Sequence, residues 1–194
     1  EMNIGKERLK YIFSFGSYKD YDIINSRFYP GFYNTLSIFI TKIFPIKYEI
    51  EIWHLTNCFF SIFTVLGISK ISSELFNKKV GKIVFILCFL NPTFFGHMAM
   101  NSKDPLIAFA HVWSTYIFLR YLKKQGSNKN CKHYILLAGL VLGFGTGVRV
   151  PFIITLSPLY LFAIIDILFL KKITNSKFSL NKFAVDLIIV FLIA

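Results

Sequence analysis

The sequence predicts an all-α protein, a polytopic transmembrane helix bundle with an interfacial helix in its first outer loop. Three observations carry that expectation. Hydrophobic residues make up 55% of the chain and charged residues 16%, against roughly 25% charged in a soluble domain. Apolar runs close to the length of a membrane crossing recur from residue 52 onward, and a crossing needs about 20 residues. Basic residues collect in every other gap between those runs, which is how membrane helices are oriented.

Residues 1–51 read as the first extracytoplasmic loop. Its opening part, 1–27, is mixed and charged, with Glu1, Glu7, Asp20 and Asp22 among several Lys and Arg. An apolar stretch follows, opened by Pro30-Gly31 and interrupted by Asn34 and Lys42. If it crossed the bilayer, 1–27 would be cytoplasmic, and the basic residues there weigh that way. Its short apolar length, its Pro-Gly start and its internal Lys42 favour a helix lying in the interface, at about 30–45.

Residues 52–194 read as the transmembrane helical domain. Its spans are expected at about 52–68, 80–98, 105–122, 133–148 and 151–170, with a sixth beginning at 183 and cut short at 194. The chain starts without Met or a signal peptide and stops inside that sixth run, so it is expected to be a piece of a longer protein. The gap 69–82 holds Lys70, Lys78, Lys79 and Lys82. The gap 120–132 holds Arg120, Lys123, Lys124, Lys129 and Lys132, and 171–182 holds Lys171, Lys172, Lys177 and Lys182. The gaps 96–104 and 149–151 hold only Lys103 and Arg149. The positive-inside rule puts the three rich gaps in the cytoplasm and the two poor ones outside.

The net charge of +12 invites a nucleic-acid partner, but the basic residues sit in gaps between spans rather than along one face, so none is expected. Cys58, Cys88 and Cys131 are odd in number and far apart, without a CxxC or Cys/His cluster. They support neither a disulfide framework nor a structural zinc site and read as small apolar fillers.

Polar chemistry concentrates in the gap after the second span. It reads Asn91-Pro-Thr-Phe-Phe-Gly-His97-Met-Ala-Met-Asn101-Ser-Lys103-Asp104-Pro105. If the second helix ran through it, His97, Asn101 and Asp104 would share one face. Ionisable groups at membrane depth are costly and so are functional candidates. Asp followed by Pro is equally a helix-start signature, and a capping carboxylate can still face a cavity. A histidine satisfied at the interface is the commoner fate for His97. Arg149 ends a helix carrying Gly139, Gly143 and Gly147, glycines four apart that let another helix approach. Its guanidinium suits phosphate recognition, or it snorkels to the headgroups. Gly143-Phe-Gly145-Thr-Gly147 is no dinucleotide fingerprint, since no strand precedes it. His54, Asn57, His111, Asp166 and Asp186, taken singly, read as packing hydrogen bonds or interfacial groups.

The block 91–122, NPTFFGHMAMNSKDPLIAFAHVWSTYIFLRYL, resembles a membrane glycosyltransferase pattern. It is similar to the GT-C superfamily, in particular to bacterial relatives of the protein O-mannosyltransferases and aminoarabinose transferases. Many of these carry a Pro, an aromatic pair, Gly-His, then Asn-x-Lys-Asp before the next span. Tyr29-Pro-Gly-Phe32, the Lys-rich gap before Gly81 and the Gly-rich helix ending at Arg149 fit the same pattern. The resemblance covers most of the chain, and the Gly-His to Lys-Asp block is its most specific part. It implies transfer of a sugar from a polyprenyl-phosphate donor to a hydroxyl of a lipid, glycan or protein acceptor at the extracytoplasmic face. It also implies a multi-pass protein of the bacterial inner (plasma) membrane.

In that superfamily the first outer loop opens with an Asp-Glu pair, which places Glu1 at the second position, with the Asp and a first span before it. A His often follows the pair; here Asn3 is the nearest polar residue. By resemblance Glu1 and Asp104 are the catalytic acids. The preceding Asp would be the general base, and Asp104 would orient the acceptor or a metal. Lys103 or Arg149 would contact the phosphate, with His97 and Asn101 lining the site. Members differ in metal use, so a divalent cation is left open and no cofactor is fixed. The competing reading is a transporter or flippase subunit without transferase activity, which would keep its ionisable groups near the midplane and lean on Asp166. A purely structural subunit would have no outward cavity joining these groups.

Overall fold

The computed structural model describes residues 2–18, 31–100, 103–125, 131–174 and 178–194. Among them every regular element is helical. In order these are α1 (Met2–Phe13), α2 (Phe32–Thr41), a 3-10 turn (Ile46–Tyr48), α3 (Glu49–Leu75), α4 (Lys78–Phe89), α5 (Pro92–His97) and α6 (Asp104–Gln125). Then come α7 (Lys132–Val148), α8 (Phe152–Thr155), α9 (Ser157–Ile165) with a stretch of wider π turns at Asp166–Leu170, and α10 (Leu180–Ile193).

Helix α3 is the central element, packing on α4 and on α6, while α6 packs on α7 and α7 on α10. Among the described residues α3 is the one helix both long and apolar enough to cross a bilayer; α7 and the segment Ser157–Leu170 are shorter apolar helices. The buried face of α3 carries Thr56, Asn57, Ser61, Thr64 and Gly67, while Leu55 and Phe59 point outward. The other apolar helices repeat the inversion, with Ile154, Phe169 and Leu192 at 74%, 78% and 81% exposure. In water so much bare hydrocarbon would be strongly unfavourable, at about 25 cal/mol per Å². In lipid, small and polar residues belong at helix interfaces and large apolar ones outside. The chain is an all-α membrane bundle.

Close approach between helices is made by glycines. A Cβ on Gly81 would lie 2.8 Å from the Ser69 carbonyl oxygen, so α4 can rest on α3 only with hydrogen there; the Ser69 hydroxyl donates to the Gly81 carbonyl at 2.8 Å. Gly139 and Gly143 of α7 face α10, where a Cβ on Gly139 would stand 2.6 Å from Ile193. Gly147 faces Phe32 of α2.

Side-chain contacts sort the loops into two ends. At one, Glu74 near the end of α3 pairs with Arg120 and Lys123 near the end of α6. There Gln125 also exchanges hydrogen bonds with Ser179 ahead of α10, at 2.9 and 3.0 Å. At the other end lie the start of α3, the segment after α5, the start of α6 and the end of α7. Helices α1 and α2 sit over this second end, α2 through Phe32 against Phe144 and α1 through the Lys6–Glu49 ion pair at 2.9 Å.

Several elements differ from their expected extents. The stretch expected as a span over 80–98 is two helices, because Pro92 has no N–H to continue α4 and Asn91 turns its side chain to cap Phe94. The stretch 151–170 is broken at Leu156, before Pro158, into α8 and α9. Helix α2 covers Phe32–Thr41 of the expected 30–45, and 1–27, read only as charged, contains α1. Helix α3 extends past the apolar run at both ends.

Candidate functional site

At the second end, α3, α4, α5 and α6 enclose an open cleft of about 700 Å³. Its mouth carries Asn91, His97 and Asp104, and its deeper wall is apolar, with Val65, Ile68 and Ala108. Each mouth residue stands there for a local reason. Asn91 caps α5, which is one and a half turns long and delivers His97 at its last position. Asp104 opens α6 with Pro105 behind it, the helix-start placement, where an acid meets the positive end of the helix dipole.

Arg149 leaves helical geometry just past Val148 and reaches back to α6. Its Nη2 donates to Asp104 Oδ1 at 2.6 Å. The pair is wet, with the Arg149 and Asp104 side chains 45% and 58% exposed. A fixed cation and a fixed anion therefore sit side by side at the mouth of a cleft whose interior is apolar.

The structure brings His97 and Asp104 to one cleft and joins Arg149 to Asp104. Lys103 immediately precedes Asp104 and is partly buried. His97 closes α5 and Asp104 opens α6, so the two do not share one continuous helix. Glu1 and Asn101 lie outside the described residues. Among the described residues no three His, Cys, Asp or Glu side chains gather as a metal-binding group.

The groups that hold this mouth in place were visible in sequence only as isolated polar residues. His54, Asn57 and Ser61 project from one face of α3 at helical spacing. His54 Nδ1 lies 2.8 Å from the Ala99 carbonyl oxygen, Asn57 donates to the same oxygen at 3.3 Å, and Ser61 donates to the Met98 carbonyl at 3.1 Å. The 54/57/61 spacing inside an apolar run was the signal; Ser61, the least polar of the three, was not singled out.

Asp166, the residue a transport reading would use, is fully committed to structure. Its carboxylate accepts the backbone N–H groups of Lys172, Ile173 and Thr174 and the Thr174 hydroxyl, closing the chain reversal after Leu170. Asp186 accepts the Tyr121 hydroxyl at 2.6 Å and ties α10 to α6.

No curated protein and no solved structure matches the chain. A family model does, over residues 33–193, and its description is dolichyl-phosphate-mannose-protein mannosyltransferase. The match spans α2 through α10 and so takes in the cleft, Asp104 and Arg149. With most of its length inside that match, the chain belongs to the dolichyl-phosphate-mannose-protein mannosyltransferase family of glycosyltransferases.

Proposed function

We propose that this chain carries the catalytic mouth of a membrane glycosyltransferase that moves a sugar from a polyprenyl-phosphate donor to an acceptor hydroxyl at the extracytoplasmic face. The observation that carries the reading is the exposed Asp104–Arg149 pair at the rim of a cleft with an apolar interior. A donor with a phosphate head and a hydrocarbon tail needs this combination of a cation at the rim and apolar walls below. The family's name points the same way, to a mannose carried on a polyprenyl phosphate.

In the reaction the acceptor oxygen bonds to the sugar C1 while the bond from C1 to the phosphate oxygen breaks. The phosphate leaves with the electron pair, and Arg149 stabilises its charge. The hydroxyl proton passes to the first-loop carboxylate that the resemblance makes the general base. Asp104 orients the acceptor hydroxyl, and His97 borders the same space. Lys103 is a second cation for the phosphate. The acceptor, whether lipid, glycan or protein, approaches from the open side.

The test is Asp104→Asn in the full-length protein, supplied with polyprenyl-phosphate-linked mannose in nanodiscs. Transfer is expected to fall at least about 100-fold, the scale of losing one charge-stabilising group, with expression and thermal unfolding retained. Transfer at the wild-type rate would overturn the reading. Loss of folding together with activity would reduce Asp104 to a helix cap.

A further inference from the structure

We propose that Asn57, backed by Tyr33, is the positioning residue that locks the segment after α5 to the first loop and so sets the geometry of the transfer site. The proposal rests on the glycosyltransferase reading above. Met98 and Ala99 follow the end of α5, and their carbonyls face α3 rather than another turn of helix. Carbonyls that leave a helix among packed side chains need donors from outside that helix. α3 supplies three donors at helical spacing: Ser61 to Met98, and Asn57 and His54 to Ala99. A carbonyl only accepts, so His54 carries its proton on Nδ1.

Asn57 differs from the other two because both ends of its amide are used. Its Nδ2 donates to Ala99, and its Oδ1 accepts the Tyr33 hydroxyl at 2.9 Å. Tyr33 belongs to α2 and is 1% exposed, wedged edge-on against Trp53 at 5.4 Å. One buried amide therefore joins the first-loop helix to Ala99, just past the end of α5. A hydrogen-bonded amide held on both sides has a single orientation, and shifting either partner shifts the other. Two loops that must present groups to one substrate are registered through it, at a point remote from the reacting atoms.

Conservative variants separate the two halves. Asn57→Leu removes both bonds while keeping the branched shape of the side chain, and Tyr33→Phe removes only the hydroxyl on the α2 side. The assay uses the full-length protein in nanodiscs, with hydrogen exchange and steady-state transfer from polyprenyl-phosphate-linked mannose read on the same samples. In Asn57→Leu, exchange across 97–104 is expected to quicken about tenfold while α6 and α7 keep their protection. Its kcat is expected to drop about tenfold, with the donor KM within about twofold. Tyr33→Phe should lower kcat in the same way, and the double variant should lose no more than Asn57→Leu alone.

Multiplying losses in the double variant would overturn the coupling, and unchanged exchange across 97–104 would overturn the clamp. Faster exchange with intact kcat would overturn its role in transfer. If Asn57→Leu fails to fold, Tyr33→Phe decides on the same readouts. Hydrogen exchange needs no activity, so a failure of the glycosyltransferase reading, seen as full transfer by Asp104→Asn, stays distinct from a failure of the clamp.

Discussion

Replacing Arg149 by Met tests whether the cation at the cleft mouth serves chemistry or architecture, because the structure bounds how much stability it can hold. At 2.6 Å two unit charges in water attract by about 1.6 kcal/mol. Both side chains are about half exposed, so screening and the entropy of holding them in one geometry leave under about 1 kcal/mol. Thermal unfolding of the full-length Arg149→Met protein in detergent should therefore shift by no more than about 4 °C. If the guanidinium instead offsets charge on the departing phosphate, transfer should fall about 100- to 1000-fold, or about 2.7–4 kcal/mol. The activity loss would then exceed the stability loss by about 2 kcal/mol or more, which a structural ion pair cannot produce. The paired exchange Asp104→Arg with Arg149→Asp sharpens the test, since it restores the attraction yet should restore no transfer. Transfer within threefold of wild type for Arg149→Met, or recovery in the exchanged pair, would refute the reasoning.

Asp166→Asn should lower stability by about 1–3 kcal/mol, since three backbone N–H groups and a hydroxyl lose part of their acceptor. Thermal unfolding would show it, with transfer per folded molecule unchanged. Gly139→Leu should separate α10 from α7 at a cost of about 1–3 kcal/mol through overpacking against Ile193 and the Val190 carbonyl. Unfolding in detergent checks it, and an unaltered midpoint would contradict the packing. Cysteines placed singly at Lys103 and Lys124, at opposite ends of α6, should react with an impermeant maleimide from opposite faces of intact cells. Reaction of both from one compartment would remove the basis for an outward site.

The helical class and the family were legible because both rest on local pattern. Apolar runs between basic gaps state the solvent, and the Gly-His to Lys-Asp block lies in one stretch of 91–122. Helix ends were less legible. α3 runs from Glu49 to Leu75 because Glu49 and Glu51 suit a first turn and Ser72 and Ser73 satisfy themselves on carbonyls one turn back, none of which hydropathy records. The break before Pro92 was hidden by a run apolar on both sides of it. α1 was missed because Lys, Glu and Arg interrupt its apolar residues; it is held by Leu9 and by Gly5 against the backbone of α2. The Arg149–Asp104 contact joins residues 45 apart. Charge alternation could put both at one end of the bundle, but only the packing of α6 on α7 brings them within reach.

The placement of the proposed site groups follows from the cost of charge in hydrocarbon. Within the bundle Asn57 and Asp186 are turned toward protein partners, Asn57 toward Tyr33 and Ala99 and Asp186 toward Tyr121. Groups buried and oriented in this way serve packing between helices. Asp104 and Arg149 instead occupy the first position of α6 and the residue after α7, half in solvent, where they keep most of their hydration and can exchange partners. A departing phosphate can compete for Arg149 there because the ion pair it must displace is worth under about 1 kcal/mol. Had the same pair been buried at the centre of α6, breaking it would cost about 3–5 kcal/mol, and the site would bind its own side chains in preference to the donor. The weakness of the salt bridge is thus a requirement of the proposed chemistry.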